Sequence, residues 1–251
     1  IKADYADAYN NRGVGFKELK RLDEALNSFN AALKINPDYT DAYNNRGLIY
    51  QALNRCEDAI NDFDKAIAID PLCADAYNNR GNTLKDLKRF EEALASYDQA
   101  IAINAERAEI YNSRGNALQS LKRLDEAIKS YDRAIAINPD DVSAYSNRGM
   151  ALKDLKRFEE ALTSFDNALS INPDYGEVHN NKGNTLQALK RIDEAVSSYN
   201  RAIESMPNYA GAYSNRAVAL QDTHRFDEAL NSYNQALAID PNYADGYWNK
   251  A

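Results

Sequence analysis

One short phrase of sequence returns every 34 residues along this chain, and its period constrains the fold more than any other feature. The phrase is Tyr-Asn-Asn-Arg-Gly or a close variant. Its first residues are Tyr9, Tyr43, Tyr77, Tyr111, Tyr145, His179 and Tyr213. A period of this length is typical of a solenoid, in which each unit buries its apolar face only against its neighbours. The sequence therefore predicts one elongated array rather than a compact globule.

We number the positions of each repeat from 1, starting at Ala6, so that Gly13 is position 8. The single array then contains seven full repeats, which are residues 6–39, 40–73, 74–107, 108–141, 142–175, 176–209 and 210–243. Residues 1–5 match the end of a preceding repeat, and residues 244–251 match the start of an eighth. Because the sequence lacks an initiator Met and stops inside a helical pattern, we expect a fragment of a longer protein.

Each repeat contains two segments with the apolar spacing of an amphipathic helix, as the second repeat illustrates. The first segment places apolar residues on one face, from Tyr43 through Gly47 to Leu53. A short connection at 54–56 leads to a second segment that begins with acids and ends before Pro71. Acids in the first turn favour a helix start, and proline ends the helical pattern. Two helices per repeat follow from this arrangement.

Glycine occupies position 8 in six of the repeats, although it costs about 1 kcal/mol relative to alanine inside a helix. The second segment carries alanine at position 20 and an aromatic residue four positions later, as in Ala59 and Phe63. We expect the missing side chain of the glycine to admit the aromatic ring, so that the two helices pack closely.

The order of an aromatic residue, glycine four positions later, alanine, a second aromatic residue, alanine and proline resembles the tetratricopeptide repeat. The resemblance covers nearly the whole chain and rests on seven copies. It implies an all-α fold, an α-solenoid in which antiparallel helix pairs form a right-handed superhelix with the first helices along its concave wall. It also implies a role in protein–protein contacts.

One departure from that family is uniform, because position 7 carries arginine or lysine where the family usually has leucine. We expect the stems of these side chains to cover the edge of the core while their charged heads reach water. The residues are Arg12, Arg46, Arg80, Arg114, Arg148, Lys182 and Arg216.

Asparagine recurs at position 6, where helical propensity does not favour it. On a helical wheel, positions 4, 8, 11 and 14 face the core, so positions 2, 6, 9 and 13 point away from it. A primary amide can donate and accept at once, so an asparagine ladder can hold the backbone of an extended peptide at about every third residue. The ladder is Asn11, Asn45, Asn79, Asn147, Asn181, Asn215 and Asn249, with Ser113 in the fourth repeat.

Two further rows complete the predicted peptide-binding face. Position 2 is mostly acidic and favours polar or basic ligands, although acids here also suit a helix N-terminus. Position 9 carries asparagine in some repeats and an apolar residue in others. The apolar members either accept ligand side chains or pack between first helices. The acids are Asp7, Asp41, Asp75, Glu109, Glu177 and Asp245, and the position 9 asparagines are Asn82, Asn116 and Asn184.

The asparagine rows also have a structural interpretation, which stays open at this point. Repeats multiply by copying, so a residue can recur by descent alone. Amides at position 6 can also bond to a neighbouring repeat and stiffen the array. For the second asparagine row, at position 5, we favour the structural interpretation.

Composition excludes several function classes. The net charge of −8, with acids and bases intermixed, argues against nucleic acid. No apolar run is long enough to span a bilayer. Neither His179 nor His224 has a catalytic partner set, and no metal-binding spacing or phosphate loop is present, so we expect neither an enzyme nor a cofactor. The two cysteines, Cys56 and Cys73, favour a reduced, cytoplasmic protein without a disulfide.

The leading functional prediction is therefore a scaffold module that binds a protein or extended peptide in its concave groove. The ladder also resembles the concave wall of O-linked N-acetylglucosamine transferases, which implies the substrate-recognition arm of a glycosyltransferase whose catalytic domain is absent. A clamp for C-terminal carboxylates is disfavoured, because the family places Lys or Arg where this chain has acids and asparagine. The remaining alternative is a scaffold that associates end to end through uncapped terminal helices, near Trp248.

Overall fold

The computed structural model describes the backbone of residues 2–241 and the side chains of residues 5–241. This part of the chain forms fourteen α-helices and no strand. The first helices of the repeats are α1 (Lys2–Glu18), α3 (Thr40–Ala52), α5 (Ala74–Asp86), α7 (Ala108–Ser120), α9 (Val142–Asp154), α11 (Gly176–Ala188) and α13 (Ala210–Asp222). The second helices are α2 (Leu22–Ile35), α4 (Cys56–Ile69), α6 (Phe90–Ile103), α8 (Leu124–Ile137), α10 (Phe158–Ile171), α12 (Ile192–Ser205) and α14 (Phe226–Ile239).

The predicted all-α solenoid of antiparallel helix pairs is confirmed by these helices, whereas its right-handed superhelix stays a prediction. Helix α1 begins at Lys2 and runs without a break into the first repeat, whereas each other first helix begins at position 1. The predicted start of an eighth repeat, with Asp245, Trp248 and Asn249, lies outside the described residues. The division into seven repeats of one array likewise stays a prediction.

The helices form two compact units, with α1 to α7 in the first and α8 to α14 in the second. Within each unit, every helix packs against the next one along the chain. First helices also contact the first helices of adjacent repeats, as α3 does with α1 and α5, and as α11 does with α9 and α13. Second helices make no comparable contact with each other in the described part of the chain. Within each unit the first helices therefore form the tighter layer.

The predicted fit between glycine and an aromatic ring is confirmed. A Cβ atom added to Gly47 would lie 2.6 Å from the ring of Phe63, which is fully buried. The same added atom would lie 2.5 Å from Phe29 at Gly13, 2.7 Å from Tyr97 at Gly81, 2.5 Å from Phe165 at Gly149 and 2.5 Å from Tyr199 at Gly183. Backbone and ring approach each other too closely for any larger residue without movement of the ring.

The reversal between paired helices depends on a residue in the left-handed conformation, which sequence analysis did not anticipate. Asn54 has a φ of 58°. In the following residues, Arg55 N donates to Tyr50 O at 2.8 Å, which satisfies a carbonyl in the last turn of α3. The equivalent residue is usually lysine rather than glycine, so no glycine signal marks the turn. The others are Lys20, Lys88, Lys122, Lys156, Lys190 and His224.

The prediction that the position 7 cations extend into water holds for Arg12, which is exposed, but not for Arg46. Arg46 donates two hydrogen bonds to Asp62 of α4, at 2.6 and 2.8 Å, and one to Asn30 of α2 at 2.6 Å. The side chain of Asp62 is only 2% exposed, and that of Arg46 is 15% exposed. The guanidinium thus joins its own repeat to the preceding one. The same bridge joins Asp64, Arg80 and Ser96, and it joins Asp132, Arg148 and Ser164.

Candidate functional site

The candidate face consists of positions 2, 6, 9 and 13 of the first helices, on the side away from the second helices. Residues at positions 2 and 13 are exposed throughout the described part of the chain, as at Asp41 and Asp86, except for Gly211, which is half-buried. Those at positions 6 and 9 are half-buried in all but Asn11, which is exposed. The helical wheel therefore predicted correctly that these rows face away from the core. Positions 2 and 13 form the exposed edges of the face, and positions 6 and 9 form its half-buried centre.

Three of the position 6 asparagines are not free amides, because each bonds to the preceding repeat. Asn45 donates through Nδ2 to Oδ1 of Asn10 at 3.1 Å. The same bond joins Asn79 to Asn44 at 3.0 Å and Asn215 to Asn180 at 2.9 Å. Each bond links position 6 of one repeat to position 5 of the repeat before it. We call these bonds the amide rungs.

The amide rungs confirm the structural interpretation of position 5, at Asn10, Asn44 and Asn180. Asn10 and Asn180 are buried, so their acceptor oxygens need a partner within the protein. At position 6, the rung uses only part of the hydrogen-bonding capacity of the amide. The rung uses one N–H of Asn45, and it leaves the other N–H and the carbonyl oxygen at the surface of the face. Sequence reasoning could not separate these roles, since both rows carry the same residue.

Other members of the predicted ladder differ in their surroundings. The amides of Asn11 and Asn181 make no hydrogen bond within the described residues. For Asn181 the reason is local, because position 5 of the preceding repeat is Ser146, whose shorter side chain is buried. Asn147 is half-buried. Asn249 falls outside the described residues.

One rung is missing from the first unit. Oδ1 of Asn78 is the only buried side-chain polar atom without a hydrogen-bond partner among the described residues, and Asn78 is 8% exposed. Its expected donor is position 6 of the next repeat, which is Ser113 instead of asparagine. The hydroxyl of Ser113 hydrogen-bonds to that of Tyr97 instead. The exception thus follows from a single change of residue type.

Two of the asparagines at position 9 also accept hydrogen bonds from the second helix of their own repeat, and their role in binding a peptide stays a prediction. Tyr97 donates from its hydroxyl to Oδ1 of Asn82 at 2.9 Å, and Tyr199 donates to Oδ1 of Asn184 at 2.8 Å. Burial raises the pKa of both tyrosines well above the usual value of 10.0. The third such residue, Asn116, is half-buried.

This pairing explains why position 9 looks uneven in sequence. Asparagine stands there in repeats whose second helix carries tyrosine at position 24, and an apolar residue stands there in repeats with phenylalanine. The phenylalanine pairs are Val14 with Phe29, Leu48 with Phe63, and Met150 with Phe165. The seventh repeat is the exception, because Tyr233 donates to Gln221 at 3.2 Å and position 9 is Val218. The sequence contained this signal as a correlation between the residue types at positions 9 and 24, which are 15 residues apart.

The acids at position 2 fall into two groups. Asp75 and Glu109 both pair with Arg107, which lies 2.7 Å from Oε1 of Glu109. Asp41 and Glu177 are exposed and form no ion pair within the described residues. Their carboxylates remain available for a cationic ligand.

Asp7 lies at one end of the acidic row, beside Tyr39. Burial and a hydrogen bond to Asp7 together raise the pKa of Tyr39 to about 12. The phenol is therefore a neutral hydrogen-bond donor to Asp7 at physiological pH.

The described residues offer neither a metal centre nor a membrane span. They contain no group of three or more His, Cys, Asp or Glu side chains arranged to hold a metal ion. None of the described helices combines the length and apolar character needed to cross a bilayer. Cys56 and Cys73 are both free thiols.

Family profiles match almost all of the chain. A profile for the TPR repeat matches residues 15–54, 81–122 and 115–156. Profiles for the tetratricopeptide repeat match residues 40–72, 63–95, 142–175 and 174–242. No curated protein sequence matches the chain.

Solved structures share the fold over long stretches. YrrB, a TPR protein with an unusual peptide-binding site, is 25% identical, with a TM-score of 0.63 over 73% of this chain and 95% of its own. PilW, a widely conserved type IV pilus biogenesis factor, is 19% identical, with a TM-score of 0.75 over 83% of this chain and 97% of its own. A tetratricopeptide repeat protein from Parabacteroides merdae is 17% identical, with a TM-score of 0.72 over 98% of both chains.

Antiparallel helix pairs that stack through repeated contacts define a solenoid protein, a class that presents extended surfaces to partners. The profile matches then place this chain plainly in the tetratricopeptide repeat family. Its fold is that of a protein–protein interaction scaffold.

Proposed function

We propose that the candidate face binds an extended polypeptide of polar or basic sequence. The observation that carries this proposal is the unused hydrogen-bonding capacity along one row of first helices. Asn45 keeps a side-chain carbonyl oxygen and one N–H beyond its amide rung, and the side-chain amides of Asn11 and Asn181 make no hydrogen bond within the described residues. A peptide group offers one donor and one acceptor, so it matches a primary amide at any sequence.

The amide rungs support this role rather than compete with it. A rung fixes the orientation of the position 6 amide before a ligand arrives, so less side-chain freedom is lost on binding. The exposed carboxylates of Asp41 and Glu177 add a negative edge to the face. Basic side chains of a ligand are attracted to that edge, and opposite charges at an interface raise specificity and association rate more than affinity.

The expected affinity is modest. Each neutral hydrogen bond contributes about 0.5–1.5 kcal/mol net, whereas ordering a peptide costs about 1–2 kcal/mol per residue. These contributions nearly cancel, so we expect micromolar or weaker binding that strengthens with peptide length. YrrB, which has a peptide-binding site, supports the proposal as a protein of similar fold.

The test is a calorimetric titration of the protein with unstructured Lys/Ser/Gly peptides of increasing length. Two variants leave the amide rungs intact, namely the Asn11→Ala, Asn181→Ala pair and the Asp41→Lys, Glu177→Lys pair. The matched control is Asn27→Ala with Asn61→Ala, which removes two exposed amides from second helices.

Weaker binding in both face variants, with the control unchanged, supports the proposal. The charge-reversal pair should lose most affinity at low salt, because screening reduces the contribution of exposed charges. Equal affinity in the wild type and both face variants would place the ligand elsewhere and overturn the proposal.

A further inference from the structure

The sixth repeat departs from the pattern of the other repeats at several positions that converge on one cavity. The cavity has a volume of about 630 Å³ and is open to solvent on one side. Its wall is formed by the end of α10, the turn that follows it, one residue of α11 and the last turn of α12. The lining residues are Leu169, Pro173, Asp174, His179, Arg201, Glu204 and Ser205. None of them belongs to positions 2, 6, 9 or 13, so this cavity is separate from the candidate face.

Two substitutions within the repeat pattern lie in the wall of this cavity. Position 4 is tyrosine in the other six repeats, but here it is His179, which lacks the volume of a phenol. Position 30 is isoleucine in the other six repeats, but here it is Ser205. The imidazole is held by a hydrogen bond between Nε2 and the carbonyl oxygen of Pro173 at 2.8 Å.

A third departure from the repeat pattern lies at the end of the same second helix, α12. Position 31 is Asn or Asp in the other repeats, where its side chain accepts a backbone N–H in the turn, as Asn172 accepts from Asp174 at 3.2 Å. Here it is Met206, which cannot accept that bond. The Met206 side chain instead lies against Gly176, where an added Cβ would come within 2.7 Å of Cγ and 2.8 Å of Sδ. Alanine, the usual residue at position 1, would collide with Met206.

The electrostatics of the cavity favour a cation. Asp174 makes no side-chain hydrogen bond or ion pair within the described residues. Glu204 accepts a hydrogen bond from Arg201 at 3.1 Å through Oε2, and its Oε1 is left unused by this bond. The two carboxylates outnumber the single guanidinium. In addition, α10 ends at Ile171 and α12 ends at Ser205, so two helix C-termini with their negative dipole ends adjoin the cavity.

We propose that this cavity is a second binding site, which accepts the guanidinium or ammonium group of a basic side chain on a partner protein. Asp174 and Glu204 pair with the cation, and its head group lies in the cavity beside His179 and Ser205. Leu169 contacts the aliphatic stem, since long basic side chains bury their methylene groups against apolar surface. A bare metal ion does not fit, because no metal-binding cluster is present among the described residues.

The test uses a short peptide, acetyl-Gly-Arg-Gly-amide, and follows the backbone NMR signals of residues 201–206. A citrulline analogue keeps the shape of arginine and removes its charge. Spermidine serves as a third probe, to distinguish a free polyamine from a protein side chain. The arginine peptide should shift these signals saturably, and the citrulline peptide should bind about tenfold more weakly or not at all.

Two variants decide the assignment. Asp174→Asn should weaken binding of the arginine peptide about tenfold, whereas Asp140→Asn, at the same position of the fourth repeat, should have no effect. His179→Tyr with Ser205→Ile restores the repeat pattern, and this pair should fill the cavity and abolish binding while circular dichroism shows the fold unchanged.

Three results would overturn the proposal. They are equal binding of the arginine and citrulline peptides, binding that survives Asp174→Asn, or no saturable shift at about 10 mM peptide. Tighter binding of spermidine than of the peptide would reassign the site to a free polyamine. The variants Asp41→Lys and Glu177→Lys should leave these shifts unchanged, so failure of this proposal is distinguishable from failure of the candidate face.

Discussion

A buried tyrosine hydroxyl needs an acceptor that a phenylalanine does not, and this requirement determines which residue stands at position 9. Tyr97 is fully buried, and its hydroxyl reaches Oδ1 of Asn82. Phe63 occupies the same place in the second repeat, opposite Leu48. The alternation in sequence is thus a matter of satisfying hydrogen bonds, and it does not by itself describe pockets for a ligand.

We predict that the Asn82→Leu, Tyr97→Phe double variant is more stable than the Tyr97→Phe single variant. The single change removes the donor and leaves the amide oxygen without its partner, at a cost of about 1 kcal/mol. The double change reproduces the pair of the second repeat. Urea unfolding of the wild type, both single variants and the double variant measures the coupling. Additive single effects would show that the two residues are energetically independent.

Alkaline pH should destabilise the protein through its buried tyrosines. Burial raises the pKa of Tyr97, Tyr131 and Tyr199 above the usual 10.0, so the folded state binds these protons more tightly than the unfolded state does. Their contribution to stability is therefore complete below about pH 10 and is lost as the pH rises toward the folded-state values. Unfolding free energies measured from about pH 8 upward should fall beyond about pH 10.

The control for this pH dependence is Tyr97→Phe, which removes one of the titrating groups. Its loss of stability with rising pH should be smaller than that of the wild type. A parallel decline in both proteins would mean that other groups cause the alkaline unfolding.

At the scale of helices, the close approach of a first helix to its partner sets the packing of every repeat. We predict that Gly183→Ala destabilises the protein by about 1–3 kcal/mol, because the added methyl group would lie 2.5 Å from the ring of Tyr199. The gain in helical propensity, about 1 kcal/mol, does not offset this overlap.

The matched control is Gly15→Ala in α1, where an added Cβ has no atom within 4 Å. This variant should be stabilised by up to about 1 kcal/mol, because only the helical propensity changes. Thermal unfolding of both variants would measure the difference. Stabilisation of the Gly183→Ala variant would contradict the packing argument.

Completing the missing rung should stabilise the contact between the third and fourth repeats. Ser113→Asn supplies an amide donor for Oδ1 of Asn78, whose burial without a partner is costly. We expect a gain of about 1 kcal/mol in unfolding free energy, whereas Ser113→Ala should bring none. Urea unfolding measures both. A gain with alanine instead would show that the polar atom is satisfied in another way.

Much of this element-level description could be predicted from the sequence. The helix pairs, the glycine and aromatic fit and the exposed rows follow from periodicity, because the same pattern repeats in every copy. The bridge made by Arg46 could not be predicted, since its partners Asn30 and Asp62 come from two different second helices. The left-handed residue at Lys88 was equally hidden, because lysine carries no turn signal.

For the molecule as a whole, the candidate site was predicted in position but only partly in chemistry. The exposure of the acids on this face followed from the helical wheel, whereas binding at the face stays a prediction. The position 5 and position 6 asparagines have different roles, because their amides point in different directions relative to the neighbouring repeat. Residue type alone does not reveal the direction in which a side chain points. The cavity of the sixth repeat was missed because His179 and Ser205 stand far apart in sequence and each looks like an isolated variation.

The net charge of −8 belongs to the same scale, because it biases the whole molecule toward cationic partners. The charge is spread over exposed acids, so association with a basic polypeptide should slow as salt is added. The proposed contact between the position 6 amides and a ligand is local and neutral, so it should depend less on salt.

The most direct measurement is an NMR titration that follows the side-chain amide signals of asparagine with an unstructured Lys/Ser/Gly polypeptide. We predict saturable shifts for Asn45, Asn79 and Asn181 on the candidate face, with no change for Asn27 and Asn61 on the second helices. Shifts confined to the second helices, or unchanged amide signals at saturating ligand, would contradict the account.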